Sequence, residues 1–574
     1  MRRLLFAAFC CMLCTIGMRS SETFTLQSPN KSLTVVIDGE SVRVVYDGAV
    51  SVMELRDLVT GSFKSGKPRA VRTRYDMLTG KRSHCENRAN EVTLVCRHGD
   101  GGKHTVVIRA YDDGIAFRTS GADVTKVKVN CVNKWLMRYN DAYEDFFPIN
   151  PEESAGRRWG FPSLFEIKDR QVFMLMSEGG IEKGSSGGSL YSEDEKNLFS
   201  IRHDADENPM SAWRVAMIGT LSDVVESTLI TDVSPSCRVK DTSWIKPGVV
   251  SWVYWAYNHG SNDYNIIKMY VDMARDLRLP YVLIDAEWDQ MKDGKTMEDA
   301  VRYALSQGVR PLIWYNSSVG WVNGAPTPKY RLNKPEDREK EFAYLDSLGV
   351  AGVKVDFFAG DIQSTIDYHI DLMECAARHH LLINFHGATI PRGWQRTYPN
   401  LMTTEAVYGA EWYNNLPVLT KKAACHNATL PFTRGVIGSM DYTPCTFTDS
   451  QHPHITTDGH ELALTVLYES GLLHLADRPS SYLSQPQHIK DFLSTLPSTW
   501  DDTRLVSGYP GESVVMARRK GDTWYVAGIN GKDEPQELTL KCDLFPTLRP
   551  VEVKARGGFV ATFSDNVFRF VIQD

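Results

Sequence analysis

Between residue 22 and about residue 243 apolar and polar positions alternate in short runs, among them SLTVVIDG, SVRVVYDG, EVTLVCRHGDGGKHTVVIRAYDDGIAFR and QVFMLMSE. DG, HGDGG and GSSGGS punctuate these runs. Period-two alternation with turn signals about every ten residues predicts a large antiparallel β-sandwich. The GSSGGS stretch at 184–189 lacks the Gly-Lys-Ser/Thr ending of a phosphate loop and reads as a flexible loop.

Near Pro247 the pattern changes. Nearly continuous apolar runs (GVVSWVYW, YVLIDAEWD, VRPLIWYN, VAGVKVDFF, LLINFHGA, NLMTTEAVYG, TRGVIGSMDYTP and LLHLAD) alternate with helical patterns such as IIKMYVDMARDL, MEDAVRYALSQG and TIDYHIDLMECAARHH. Strands apolar on both faces, each followed by a helix, predict a parallel sheet covered on both sides. About eight such units in about 250 residues fit an α/β fold of the (β/α)8 TIM-barrel type over 244–495. From 496 to 574 alternation returns in SVVMARRKGDTWYVAGING and QELTLKCDLF, which predicts a small C-terminal β-sandwich domain.

Composition narrows the function classes. The 574 residues are 42% hydrophobic and 24% charged, as in an ordinary globular protein, and the net charge is −7. No Lys/Arg block forms a phosphate-tracking surface, so nucleic acid is not an expected partner. At the N-terminus Arg2 and Arg3 precede an apolar run from Leu4 to about Met18, then small polar residues, the pattern of a secretory signal peptide over residues 1–21. The run is shorter than a membrane span, so stable insertion is not expected. Export to the periplasm is the expectation. A lipoprotein or a fully secreted form is the alternative, since Cys10, Cys11 and Cys14 lie within the run. No CxxC pair occurs among the eight cysteines that follow the expected signal peptide, which argues against a thiolate zinc site, and Cys85 and Cys96 flank what reads as a hairpin and can pair on export.

In a (β/α)8 barrel the C-terminal strand ends build the active site. Here those ends carry Trp252 and Trp255, Asp285 and Glu287, Asn316, Lys354 and Asp356, Asn384 and His386, Glu405 and Glu411, and Asp441. Paired carboxylates with aromatic platforms suit glycoside hydrolysis, in which one carboxylate attacks or activates water and one acid protonates the leaving oxygen. Each residue has a bland alternative: Lys354 and Asp356 as a structural ion pair, His386 as a core histidine, the tryptophans as filler. The cluster HPHITTDGH at 452–460 has irregular spacing and reads as an exposed loop before a helix. Convergence on one barrel mouth favours chemistry, because the bland reading must hold separately at each strand end.

The stretches VSWVYW, YVLIDAEWD, GVKVDFF, INFHGATIPRGWQRTYPNLMTTEAVYGAEW, FTRGVIGSMDYTP and HELALTVLYESGLLHLAD resemble, in order, the motif series of glycoside hydrolase family 97. The resemblance implies an exo-acting, calcium-dependent α-glycosidase acting on a terminal sugar. Inverting members carry a glutamate directly after the strand-five histidine, where this chain has Gly387, and retaining members carry an aspartate nucleophile at the position of Asp356. The resemblance therefore implies retention, with Glu411 as acid/base and Lys354, Asp285, Trp252, Trp255, Asn316 and His386 around the sugar. Its calcium positions fall on Glu405 and Glu411, with Glu144 or Glu153 from the N-terminal domain and Asn384 from strand five. The α-galactosidase branch is implied, but strand two reads IDAEW, with Ala286 where related enzymes tend toward a second aspartate. An α-glucosidase or a β-L-arabinopyranosidase on the same scaffold, and a non-catalytic glycan-binding protein, are the competing readings. The oligomeric state is not legible.

Overall fold

Leu33–Asp38 shows why the first third folds as it does: in LTVVID, Leu33, Val35 and Ile37 are fully buried while the residues between them face outward. The same alternation recurs through Ser41–Tyr46 and along strand after strand. In the computed structural model, which describes residues 23–98, 101–120, 124–203, 212–253, 260–449, 452–540, 551–565 and 567–574, these strands join into one antiparallel 16-stranded sheet folded over its own core. The expected signal peptide lies outside the described residues. No helix among the described residues is long and apolar enough to cross a membrane.

Two expectations for this region are corrected. Cys85 and Cys96 lie on one strand, His84–Arg97, rather than on two arms of a hairpin, and both thiols are free. Eleven positions along a strand at about 3.3 Å each hold them far beyond disulfide reach. The GSSGGS stretch is buried and fixed rather than flexible. Gly187 N donates to Asp361 O at 2.8 Å, and Gly188 N donates to Glu178 Oε1 at 2.9 Å. A β-carbon at 187 would lie 2.2 Å from Arg392 Nη2, so close approach rather than mobility requires glycine there. Beneath it Glu178 and Arg214 of the sandwich meet Arg392 and Asp361 of the barrel, with Arg392 Nε 2.6 Å from Glu178 Oε1 and Arg392 Nη2 3.0 Å from Asp361 Oδ1. All four side chains are buried, and their charges balance across the domain boundary.

The barrel strands are Gly248–Trp252, Tyr281–Ile284, Arg310–Asn316, Gly352–Asp356, Leu382–Phe385, Leu401–Thr404 and Leu472–Leu475, all parallel and nearly all buried. The seventh position departs from the expected strand. Ser439–Asp441 passes through it with a single bridge, Met440 to Thr404, and Met440 N donates to Glu469 O at 2.8 Å. The missing ladder is replaced by the fully buried Arg434, whose guanidinium donates to the carbonyls of Thr404, Glu405, Ala406, Gly438 and Ser439 at 2.8–3.2 Å. One side chain thus satisfies backbone acceptors that a strand would otherwise pair.

A five-stranded antiparallel sheet, Asp502–Tyr509 through Val567–Gln573, and a two-stranded ribbon complete the described chain.

Candidate active site

Parallel pairing sets the site in rows. Trp314 lies opposite Lys354, Lys354 opposite Asn384, and Asn316 opposite Asp356, so neighbouring strands present their terminal side chains at matched heights. The chain then turns sharply: Phe357, directly after Asp356, has φ +66°, a conformation a bulky residue holds only when its surroundings fix it. Its ring packs edge-on against Trp314 at 5.9 Å and Trp321 at 4.9 Å.

A cavity of about 440 Å³ opens at these strand ends, lined by Trp252, Asp285, Lys354, Asp356, Glu405 and Glu411 from the expected set and by Glu144 from the sandwich. On one wall Asp285 Oδ2 accepts from Trp252 Nε1 at 2.8 Å and from Lys354 Nζ at 3.2 Å. Lys354 Nζ also lies 3.7 Å from Asp356 Oδ2 and 4.9 Å from the centre of the Trp252 ring. Asp356 is held further by Trp314 Nε1 at 3.1 Å and by the Phe357 amide at 2.9 Å. Period-two geometry puts Lys354 and Asp356 on one side of the strand, which is why a buried run tolerates both charges.

The opposite wall is acidic. Glu405 Oε2 accepts from Gly387 N at 2.7 Å, and Glu405 Oε1 lies 3.2 Å from His386 Nδ1. His386 Nε2 in turn reaches Asp441 Oδ2 at 2.7 Å, which also accepts from Asn384 Nδ2 at 2.7 Å and lies 3.0 Å from His474 Nδ1. Glu411, His386 and Glu405 offer ligand atoms within 4.8 Å of one another, and Glu144 Oε2 accepts from Trp412 Nε1 at 2.7 Å.

These surroundings separate the carboxylates. Burial, reinforced by Glu405 and Asp356, pushes Glu411 well above the usual range, and burial with Glu405 and Glu411 does the same to Glu144. Burial also raises Asp356, but Lys354 and His386 oppose it. Glu405 ends below its ordinary value because His386 and the Gly387 amide outweigh its burial. Burial would strip the proton from Lys354, yet Asp285 and Asp356 hold it above the usual lysine range. An acid kept protonated and a less perturbed carboxylate facing one cavity are the ingredients of acid/nucleophile division of labour.

Several expected residues sit elsewhere. Glu153 forms an ion pair with Lys134 within the sandwich and does not line the cavity; Glu144 does. Asn316 spends its amide on the following loop, donating to Trp321 O and Pro326 O at 3.3 Å, and His386 stands behind Glu405 instead of facing the cavity. Trp255 lies outside the described residues. The sequence reading missed Trp314, Trp321, Phe357 and Trp412, which line the cavity. Trp314 was findable, being two residues before Asn316 on one strand face, and Trp412 directly follows Glu411.

Residues 26–235, 244–407 and 499–563 match in turn the family models "Glycosyl-hydrolase 97 N-terminal", "Glycoside hydrolase 97" and "Glycosyl-hydrolase 97 C-terminal, oligomerisation". A Streptomyces bingchenggensis protein named "Probable retaining alpha-galactosidase" is 35% identical over 500 residues, 82% of this chain and 75% of that one. The chain belongs to glycoside hydrolase family 97. A retaining alpha-galactosidase of Bacteroides thetaiotaomicron is 26% identical, over 92% of this chain and 90% of its own. The crystal structure of a beta-arabinopyranosidase superposes with a TM-score of 0.84 at 27% identity, covering 95% of this chain and 99% of that one. As a family 97 member the protein is a glycoside hydrolase with a barrel, an N-terminal sandwich and a small C-terminal sheet domain.

The acidic wall of this family 97 cavity suits a hard cation. Glu144, Glu405 and Glu411 supply carboxylate oxygens, and Asn384 Oδ1 is buried with no hydrogen-bond partner. Oxygen donors of this kind, crowded enough to raise two of the three acids, fit calcium better than a softer metal.

Proposed function

We propose that the protein is an exported, calcium-dependent, exo-acting α-galactosidase that retains anomeric configuration. One observation carries the reading: Asp356 faces the cavity from the end of strand four, and Gly387, at the end of strand five, has neither a side chain nor room for one. Asp356 then attacks the anomeric carbon, forming a glycosyl ester as the glycosidic C–O bond breaks, and Glu411 gives its proton to the departing oxygen. In the second half Glu411 takes a proton from water, which adds to the same carbon and releases Asp356. Lys354, Trp314 and the Phe357 amide keep Asp356 anionic and aimed. Calcium held by Glu144, Glu405, Glu411 and Asn384 would fix these carboxylates and offset their mutual repulsion.

The names of two relatives, both retaining alpha-galactosidases, support galactose as the terminal sugar. A second reading, β-L-arabinopyranosidase, draws on Ala286, which lines the cavity without an acid, and on the beta-arabinopyranosidase fold neighbour. A galactose-configured pentopyranose lacks the C6 hydroxymethyl that such an acid would meet. Release of nitrophenol from α-galactoside, α-glucoside and β-L-arabinopyranoside, with and without chelator, separates these readings. NMR of the first anomer formed decides retention, and no release from the α-galactoside would sink the main reading. Export to the periplasm is supported by the pattern of residues 1–21; a mature N-terminus near Ser21 in the periplasmic fraction is the expected result.

A further inference from the structure

Among the described residues, two groups bring three metal-ligating side chains together. One is on the acidic wall of the catalytic cavity. The other is Glu339, Cys375 and His379, and none of these three lines that cavity. Two consecutive barrel helices build it. Glu339 lies on Pro335–Ser347, which follows strand three, and Cys375 lies on Gln363–Arg378, which follows strand four, with His379 at that helix's C-terminal cap. No CxxC signals the site, but a thiol and an imidazole four residues apart at the end of a helix share one face.

That face meets the neighbouring helix at Glu339. Cys375 Sγ donates to Glu339 Oε2 at 3.2 Å, His379 Nε2 lies 2.8 Å from Oε1, and the three ligand atoms lie within 4.8 Å of one another. A carboxylate only accepts, so the thiol and the ring each point a proton at the same group. Burial, with the hydrogen bond to Glu339 and its charge, pushes the Cys375 thiol up to about 12, and Arg378 opposes this too weakly to free a thiolate. A metal ion between the two groups reverses that balance, because a coordinating thiol gives up its proton. Arg378 Nη2 already holds Glu339 Oε2 at 2.7 Å. It leaves Oε1, the oxygen beside His379, to ligate, and a ligating carboxylate ordinarily has its other oxygen hydrogen-bonded in this way.

We propose that Glu339, Cys375 and His379 form a zinc site, completed by water, that clamps the helices after strands three and four to each other. On binding, the thiol releases its proton to solvent, and the ring binds through Nε2 with its remaining proton on Nδ1. Cys375 is buried, His379 half-buried and Glu339 exposed, so the ion enters from the Glu339 side and keeps its fourth position toward solvent. Thiolate and imidazole donors select zinc, whereas the carboxylate and amide oxygens of the catalytic wall suit calcium, so the chain sorts two metals by donor chemistry. The inference does not rest on the substrate or the mechanism assigned to the catalytic cavity.

The test is titration of the reduced full chain, under argon and with calcium in excess, with Co2+ followed by absorbance and with Zn2+ followed by calorimetry. A thiolate-to-cobalt charge-transfer band in the near ultraviolet, bleached by Zn2+, and a Tm raised by Zn2+ are expected. Cys375→Ser should lose the band. His379→Gln and Glu339→Ala should each weaken zinc binding about a hundred-fold, at least the loss that removing a ligand's own hydrogen-bond partner causes. Hydrolysis of the nitrophenyl glycosides should be unchanged in all three variants. His379→Gln, at a half-buried helix end, keeps the test decisive if Cys375→Ser does not fold. Absence of the band, a band that survives Cys375→Ser and so belongs to an exposed thiol such as Cys237 or Cys425, zinc affinity unchanged in His379→Gln, or a wild-type Tm that zinc does not move overturns the inference.

Discussion

A β-carbon placed on Gly387 would lie 3.0 Å from Asp356 Oδ1 and 2.9 Å from the Phe357 amide nitrogen, at a backbone φ of +47°. The two positions therefore exclude each other: a side chain at 387 and a carboxylate at the end of strand four compete for one space. Gly387→Ala must displace Asp356 or twist the strand end. A displacement of about 1 Å at a reacting group costs on the order of a hundred-fold in rate. The expected outcome is a kcat lowered by that order with a smaller change in KM, an unchanged product anomer, and partial recovery of folded yield when Gly387→Glu is combined with Asp356→Gly. Full activity in Gly387→Ala, read by nitrophenyl glycoside kinetics, would contradict the crowding argument.

Removing the proposed nucleophile and the proposed acid should leave different signatures. Asp356→Gly should lose about 10⁴-fold or more in kcat, as removal of an attacking group does, and azide should restore turnover by forming the β-glycosyl azide. Glu411→Gln should spare substrates with good leaving groups in the first step and stall at the covalent intermediate. Mass spectrometry of the trapped enzyme distinguishes the two, and an intermediate found on any residue other than Asp356 would reassign the chemistry.

How far the sequence could be read follows from which physical signals are local. Period-two alternation in Leu33–Asp38 and apolar runs ending in Asp285, Asp356 and Glu405 are local, and they yielded the sandwich, the barrel and most of the cavity's charged residues. What failed depends on distant partners. TRGVIGSMDYTP has the hydrophobicity of a strand, but Arg434 captures the carbonyls a ladder would use. GSSGGS has the composition of a flexible loop, yet Arg392, two hundred residues on, packs against it. Glu144, favoured from the sequence, had Glu153 as its competitor, and folding gives the first to the cavity and the second to Lys134.

Trp321 is 52% exposed, lines the catalytic cavity and meets Phe357 edge-on at 4.9 Å. Its indole N–H is already used by Asn323 O at 2.8 Å, so the ring offers a face rather than a donor. An exposed ring face at a sugar cavity is an apolar surface on which the C–H face of a further sugar unit can stack. Trp321→Ala should raise KM for oligosaccharides by about five- to ten-fold, the order of one aromatic contact, and should do little to the kcat of a small activated glycoside. An equal loss for both substrate types would mean that Trp321 supports Phe357 and Asp356 instead.

The crowded acids Glu144, Glu405 and Glu411 predict a strong response to cation removal. A chelator should lower both activity and Tm, and calcium at about a hundred-fold over its Kd should return about 3 kcal/mol of stability. Glu144→Gln should shift the calcium concentration needed for that return, and Glu153→Gln should not, because Glu153 is bound to Lys134. Thermal unfolding at stepped calcium concentrations reads this directly, independent of turnover. A calcium response lost in Glu153→Gln and kept in Glu144→Gln would reverse the assignment.

His369 ties acid stability to the packing behind strand four. It sits fully buried on helix Gln363–Arg378, stacked 3.9 Å from Phe358 and 5.8 Å from Trp394, with Nδ1 2.8 Å from Thr365 O. Burial pulls its imidazole down to about 4, with Thr365 O and Asp361 raising it and Arg392 lowering it further. The unfolded chain therefore takes up the proton first as pH falls. The contribution of neutral His369 is intact above pH 6.5 and declines through the window down to about pH 4. At pH 5 the loss from this one residue is about 2 kcal/mol. His369→Phe should flatten that part of the pH dependence of Tm between pH 7 and 5 while leaving the ring stack in place. A wild-type Tm that does not move over this window, or a variant that falls as steeply, would show that His369 takes up its proton without opening the stack.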